Sequence, residues 1–293
     1  MIVSHLIGGL GNQMFQYAVG RSRALALGVE VRLHVVDFPD YGLHQGFELD
    51  RVFDGLFQLA SAGEVHSILG WRSCQPCRRA LKNRYFSALR GARFVVEPEF
   101  RYWPGILSIQ DPSYLVGYWQ SEKYFADIQQ IIRSDFTFKQ ELTKQNAELA
   151  ERMAKCNAVS LHVRRGDYAN NPKTNAAHGL CSLNYYHAAI NHIAEHIDSP
   201  EFFIFSDDIA WVKENLDIGF PCAYVDHNQG MESHNDMRLM SLCRHHIIAN
   251  SSFSWWGAWL NSRPDKIVVA PQRWFANGTR SEDLIPGGWV TLR

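Results

Sequence analysis

Two adjacent arginines close the apolar run "SLHVRRGDY", Ser160 to Tyr168. A guanidinium is charged at every physiological pH and presents paired N–H groups that match two phosphate oxygens, and Gly166 lets the backbone come close to a ligand. Strand alternation puts His162 and Arg164 on one face and Arg165 on the other, so Arg164 leads. The chemistry suggested is capture of a diphosphate. The plainer role for both arginines is pairing with carboxylates at a domain edge. A cell-adhesion role for the "RGD" tripeptide fits badly, because these residues follow a buried strand.

Two further segments share this polarity. "FSDD", Phe205 to Asp208, follows an apolar run and precedes a helix. Ser206 or Asp207 is expected to cap that helix, which leaves a carboxylate of Asp207 or Asp208 for a nucleobase edge or ribose hydroxyls. Adjacent carboxylates can also hold a divalent cation, but the spacing is not D-x-D and a site rich in arginine needs metal less, so no metal is expected. In "NSSFSWWGAW", the residues Asn250, Ser251, Ser252, Phe253 and Ser254 open a helix, where backbone N–H groups and the helix dipole favour an anion. Serine before a helix is commonly a cap alone, and Trp255, Trp256 and Trp259 also suit a plain core. Near the start, "GGLGNQ" (Gly8 to Gln13) imitates a dinucleotide loop, with Asp37 in the place of the ribose-binding acid. Met14 stands where that pattern requires Gly or Ala, so Gly11, Asn12 and Gln13 are read instead as a second wall closing over phosphate or sugar.

The elements that must position these residues alternate regularly. The chain opens with a strand over 2–7, a helix with Met14, Tyr17, Ala18 and Leu25 on one face and a stop at Gly28, and an alternating strand over 29–36. Periodicity weakens from Phe38 to Pro112. A strand over 114–119, a helix carrying Tyr124, Ile128, Ile131 and Ile132, and a polar helix over 140–155 follow. Strands are then expected over 158–163, 202–205, 222–225, 247–249 and 267–270, with helices over 183–197, 209–216, 235–244 and 254–261. This alternation implies α/β units with parallel, doubly wound sheets, whose ligands gather at the carboxyl ends of strands. The three segments above fall at such ends, which favours a nucleotide site. The 293 residues suggest two domains, 1–148 and 149–293.

A formal charge of -1 gives no electrostatic case for nucleic acid. Six scattered cysteines and an opening too short for a signal core point to reduced, intracellular thiols, and no stretch suits a membrane span. "CQPC", Cys74 to Cys77, lacks the second ligand pair of a zinc site. Seven basic residues and no acidic one lie between Trp71 and Val96. A solvated helix face explains them, with at most peripheral contact to anionic lipid as the alternative. "SHND", Ser233 to Asp236, fits a capping box, and His245 and His246 fit dipole partners at a helix end.

The motifs "GGLGNQMFQYA", "HVRRGDY", "FSDD" and "NSSFSWWGAWL", in this order, resemble those of the bacterial α-1,2-fucosyltransferase family over nearly the whole chain. The resemblance implies a GT-B-like enzyme with two Rossmann-like domains facing across a cleft, an acceptor-side domain first and a donor domain second. It implies inverting, metal-independent transfer of L-fucose from GDP-β-L-fucose to the 2-hydroxyl of a terminal galactose, on an oligosaccharide or lipid-linked glycan, with no cofactor and in a cytoplasmic location. It places Arg164 on the diphosphate, His162 and Ser251 to Ser254 around the nucleotide, and Asn12 near the reacting diphosphate. Asp167 is the motif carboxylate nearest the arginines, as base or as a partner of Arg165, with His44 and Glu48 as rivals on the acceptor side. A nicotinamide-dependent oxidoreductase and a non-catalytic carbohydrate-binding protein using the tryptophans as sugar platforms are the competing functions.

Overall fold

The computed structural model describes residues 1–38, 45–166 and 171–293, without the side chains of 173 and 174. His44 and Asp167 lie outside the described residues. The chain divides into one unit of Met1–Lys139 with Glu282–Leu284 and a second of Gln140–Ser281 with Ile285–Arg293. The division precedes the junction expected at 148/149 because helix Lys144–Ala154 buries Met153, and partly Leu149, in the second unit's core.

In the first unit, β1 (Ile2–His5), β2 (Val31–His34), β3 (Phe94–Val96) and β4 (Ser113–Val116) form a parallel sheet of order β2-β1-β4-β3. Helix Leu10–Leu27 joins β1 to β2 and ends at Gly28, whose φ of 65° suits the left-handed stop read from the sequence. Val3, Phe94, Tyr114 and Val116 pack against Val65, Ile68, Leu69 and Leu81. The helix expected around Tyr124 is broken into two 3-10 turns and helix Gln129–Asp135, with Tyr124 and Phe125 both buried at the break.

In the second unit, β5 (Asn157–Val163), β6 (Pro200–Ser206), β7 (Cys222–Val225), β8 (His245–Ile247), β9 (Val268–Pro271) and β10 (Val290–Leu292) form a parallel sheet of order β10-β9-β8-β5-β6-β7. Counted from β5 this is the doubly wound order 3-2-1-4-5-6. Val159, Leu161 and Val163 pack on helix Leu183–His196 on one side of the sheet; Ala158, Phe203 and Phe205 pack on Leu239 and Met240 in a second core cluster. β8 begins at His245, so His245 and His246 are strand residues rather than helix-end partners. His246 lies 2.8 Å from Ser160 Oγ and accepts at Nε2 from the Asn261 amide at 2.8 Å; burial pushes its pKa far down, so it is a neutral core histidine.

Two other expectations change. Cys74 and Cys77 are joined as a disulfide at the start of helix Gln75–Leu81, whereas the remaining four cysteines are free thiols. The basic segment is not wholly a solvated face, since Arg78 is buried and Arg78, Arg79 and Lys82 converge on Asp37 at 3.8, 3.9 and 3.9 Å. Among the described residues, no helix is long and apolar enough to cross a membrane.

Candidate functional site

In a doubly wound sheet the connections leave the central pair of strands in opposite directions, opening a crevice outside their carboxyl ends. In the second unit that pair is β5 and β8. Register sets Leu161 beside Ile247 and Val163 beside Ser206, so the residues that follow the three strands emerge at one edge. Arg164, Asp207 and the Asn250–Ser254 segment therefore converge there, from sequence separations of more than forty residues.

The local bonds are specific. Arg164 Nη1 meets Asp207 Oδ2 at 2.8 Å, and Asp207 Oδ1 accepts the backbone N–H of Arg165 at 2.8 Å. Gly166 is packed so closely that a Cβ there would lie 2.5 Å from Asp207 Oδ2. Arg165 turns to Asp208 at 3.3 Å and lies over the Trp211 ring, 3.6 Å from its centroid. Asp208, not Ser206 or Asp207, caps helix Ile209–Asn215 by accepting the Trp211 N–H at 3.2 Å. Both arginines thus have carboxylate partners, and their roles separate: Arg165 is stacked and tied to a cap, whereas Arg164, 27 % exposed in its side chain, stands at the crevice edge.

His162 is buried on the same edge, with its ring 6.1 Å from that of Phe253 and Nδ1 lacking a hydrogen-bond partner. Burial, helped by the Arg164 charge and opposed by that of Asp207, holds its pKa down at about 4, so the imidazole is neutral at physiological pH. Ser251 caps helix Ser252–Leu260, accepting the Phe253 N–H at 3.3 Å. Ser254 donates to Ser251 O at 3.4 Å. Asn250 does not stand as a free donor: its amide nitrogen faces the carbonyls of His178, Gly179 and Trp274 at 3.0–3.2 Å and thereby shapes the loop. Trp255, Trp256 and Trp259 are core, packed against one another edge-on or stacked and no more than 2 % exposed, so none of these three is available as a sugar platform.

In the first unit the corresponding central pair is β1 and β4. Gly11, Asn12 and Gln13 form the first turn of helix Leu10–Leu27 rather than a loop. Gln13 is structural: its amide nitrogen donates to Gly8 O and Gly46 O, and its oxygen accepts the Glu48 N–H at 2.9 Å. Asn12 Oδ1 accepts from Gln120 Nε2 at 2.7 Å across the β1/β4 crevice. Glu48 is buried and paired with Arg51 at 3.0 Å; burial raises its carboxyl pKa against the pull of Arg51. Gly8 has φ +82°, and a Cβ on it would sit 2.6 Å from Asn12 Nδ2. Gly8→Ala is therefore expected to lower stability by about 1–3 kcal/mol, read from urea unfolding, and to displace Asn12.

Two partly buried carboxyls at these edges are not legible in the sequence as functional candidates. Glu97 follows β3 and accepts the N–H groups of Tyr118 and Trp119 at 2.7 and 3.1 Å, which ends β4 at Val116 in place of the longer strand expected. Burial raises its pKa to about 7. Asp236 lies in helix His234–Leu242 and accepts from Asn228 at 2.9 Å, within a His227–Asn146–Asn228 network beyond β7. It does not complete a capping box, for Ser233 makes no side-chain cap; burial raises its pKa to about 7.

Comparison with known proteins gives the family and the fold. The profile described as "Glycosyl transferase family 11" covers residues 97–293. An "Alpha-1,2-colitosyltransferase" of Escherichia coli is 33 % identical over 100 % of this chain and 99 % of its own length. The "O-antigen biosynthesis glycosyltransferase WbnK" of Escherichia coli is 34 % identical over 99 % of each. "Galactoside 2-alpha-L-fucosyltransferase SEC1" of Bos taurus is 27 % identical over 56 % of this chain and 45 % of its own. In fold, the chain is similar to fucosyltransferase NodZ from Bradyrhizobium, with a TM-score of 0.55, 14 % identity, and 88 % and 90 % of the two chains covered. The fold is GT-B-like α/β.

Proposed function

The chain belongs to glycosyl transferase family 11, and on that footing we propose that it moves L-fucose from GDP-β-L-fucose to the 2-hydroxyl of a terminal galactose, with inversion, forming an α-1,2 linkage. The observation that supports this most is Arg164 beside the start of helix Ser252–Leu260 at the β5/β8 crevice. In this reading the second unit binds the donor and the first the acceptor, an oligosaccharide or lipid-linked glycan on the cytoplasmic side.

The bond from the fucosyl anomeric carbon to the β-phosphate oxygen breaks with its electron pair leaving on the diphosphate. The galactose oxygen bonds that carbon from the opposite face, and its proton passes to a base. Negative charge grows on the diphosphate, where a fixed guanidinium and the positive end of a helix stabilise it without reorganising. Those donors supply the role a metal plays in other transferases, so activity without metal is part of the proposal. His162, neutral, and the Asp207 and Asp208 carboxylates border the nucleotide. The family resemblance supports a role for Asn12 at the reacting diphosphate. Among Asp167, His44 and Glu48 as proton acceptors, the ion pair of Glu48 with Arg51 weighs against Glu48.

Purified protein given GDP-fucose in EDTA is expected to release GDP only when lactose, a simple galactoside, is present, with a fucosylated product. Absence of GDP binding would overturn the proposal. A second reading, transfer of colitose, the 3-deoxy counterpart of L-fucose, is favoured by the full-length similarity to the colitosyltransferase. Comparing kcat/KM for the two GDP-linked sugars decides between them, because a site that hydrogen-bonds the 3-hydroxyl rejects the sugar lacking it by far more than a single methylene would.

A further inference from the structure

The first unit carries a constellation at its own switch point that the transfer chemistry above does not use. Residues 117–121, which follow β4, are tied down at nearly every position. Gly117 O accepts from Gln16 Nε2 at 3.1 Å, Glu97 takes the N–H groups of Tyr118 and Trp119, Gln120 holds Asn12, and Ser121 Oγ donates to Asp283 O at 2.7 Å. Trp119 is fully buried in the left-handed region at φ 56°, a conformation that costs a bulky residue of order 1–3 kcal/mol unless its surroundings impose it. The Glu97 bond to its N–H, the Ser121 N–H bonded to its carbonyl at 2.8 Å and its packing on Tyr124 hold it there. Gly117 has to lack a side chain, since a Cβ there would lie 2.4 Å from Glu97 Cβ.

Glu97 forms no salt bridge with a cation among the described residues, and Gln16 and Asn12, from the helix beside the turn, are uncharged. The titratable group set against it is Tyr124, whose phenol is pushed up by burial first and by the Glu97 charge in part. A mostly buried carboxylate with two backbone donors and no counter-ion is more than a turn needs, because an asparagine or a backbone carbonyl would serve at lower desolvation cost. Its distinguishing property is that its charge is removable. An ionised carboxylate accepts with both oxygens, and charge strengthens each bond. Protonation turns one oxygen into a hydroxyl donor facing an N–H donor.

We infer that Glu97 is a positioning residue: its ionised carboxylate fixes the turn 117–120 so that Gln120 holds Asn12 in place for transfer, and its protonation loosens both. This rests on the proposed role of Asn12 in fucosyl transfer. The sign follows directly. The folded-state pKa is raised to about 7, so the clamp is complete above that pH and is lost as pH falls through it. The activity of the free enzyme is therefore set to decline on the acid side of neutrality, without Glu97 touching either substrate.

The test is kcat/KM for GDP-fucose and lactose across neutral pH, with thermal unfolding alongside, for the wild type, Glu97→Gln, Glu97→Asp, Asn12→Ala and Glu97→Gln with Asn12→Ala. The wild type is expected to show an acid limb centred near 7. Glu97→Gln, which offers one acceptor oxygen and an opposing donor, is expected to lower kcat/KM by on the order of 10- to 100-fold and to abolish that limb. Glu97→Asp keeps a limb with a displaced midpoint and part of the rate. In the Asn12→Ala background, Glu97→Gln is expected to add no more than about twofold, because both act through one contact. A limb near 7 that survives in Glu97→Gln, an unmoved midpoint in Glu97→Asp, or losses that multiply in the double variant would each overturn the inference while leaving the transfer reading standing. A wild type that turns over no GDP-fucose removes the transfer reading itself, and the inference with it. A role confined to stability would lower the melting temperature and scale every rate without moving a midpoint.

Discussion

Arg164→Lys is expected to lower kcat/KM for GDP-fucose by about 10²- to 10³-fold, in the range that loss of one fixed donor to a developing anion costs an enzyme. The ammonium keeps the charge, so the loss measures geometry. A guanidinium can give one edge to Asp207, at 2.8 Å, and still present parallel N–H groups elsewhere, whereas a lysine that reaches Asp207 offers no second planar edge to a diphosphate. Folding is a poor alternative explanation. The pair is 27 % and 26 % exposed in its side chains, and such ion pairs contribute about 1 kcal/mol or less, so the melting temperature should scarcely move. GDP release in the presence of lactose, with unfolding followed on the same preparation, separates the two effects. Near-normal turnover in the variant would remove Arg164 from the diphosphate.

The same site shows what was legible in sequence. β5, β6 and the glycine-led helix after β1 could be read because their apolar runs end abruptly in charged or small residues, and such transitions are local signals. The convergence of Arg164, Asp207 and Ser251 was legible only as a consequence of parallel order; the register that makes them level depends on pairing partners far apart in sequence. Gln13 and Asn250 looked like donors because amides at strand ends commonly are. Their carbonyl partners, Gly46 and Trp274 among them, come from segments with no periodicity. β8 was placed late because His245 and His246 read as polar, although a buried, neutral histidine held by Ser160 and Asn261 behaves as core. Glu97 was hidden for a related reason. It lies in the weakly periodic stretch before Pro112, and its importance resides in two backbone N–H groups some twenty residues away. Asp236 was misread outright: "SHND" has the spacing of a cap, but its carboxylate faces Asn228.

That misreading has a measurable consequence, since Asp236→Asn is expected to make the protein more stable above neutral pH by on the order of 2–4 kcal/mol. Burial raises the Asp236 pKa from 3.8 to about 7, and the one side-chain hydrogen bond, from Asn228, only partly opposes the rise. The folded chain therefore holds this proton where the unfolded chain has released it. Below pH 3.8 both states are protonated and the residue costs nothing. Between there and about 7 stability falls as pH rises, and above 7 the whole cost of ionising this partly buried carboxyl is present. Asparagine matches the side chain in size and keeps an oxygen to accept the Asn228 amide, but carries no charge to desolvate. Urea unfolding of both proteins as a function of pH should give curves that coincide in acid and diverge through neutrality, with the variant above. Curves that stay parallel across the whole range would mean that Asp236 is not the group titrating, and that its carboxylate is solvated or paired in solution.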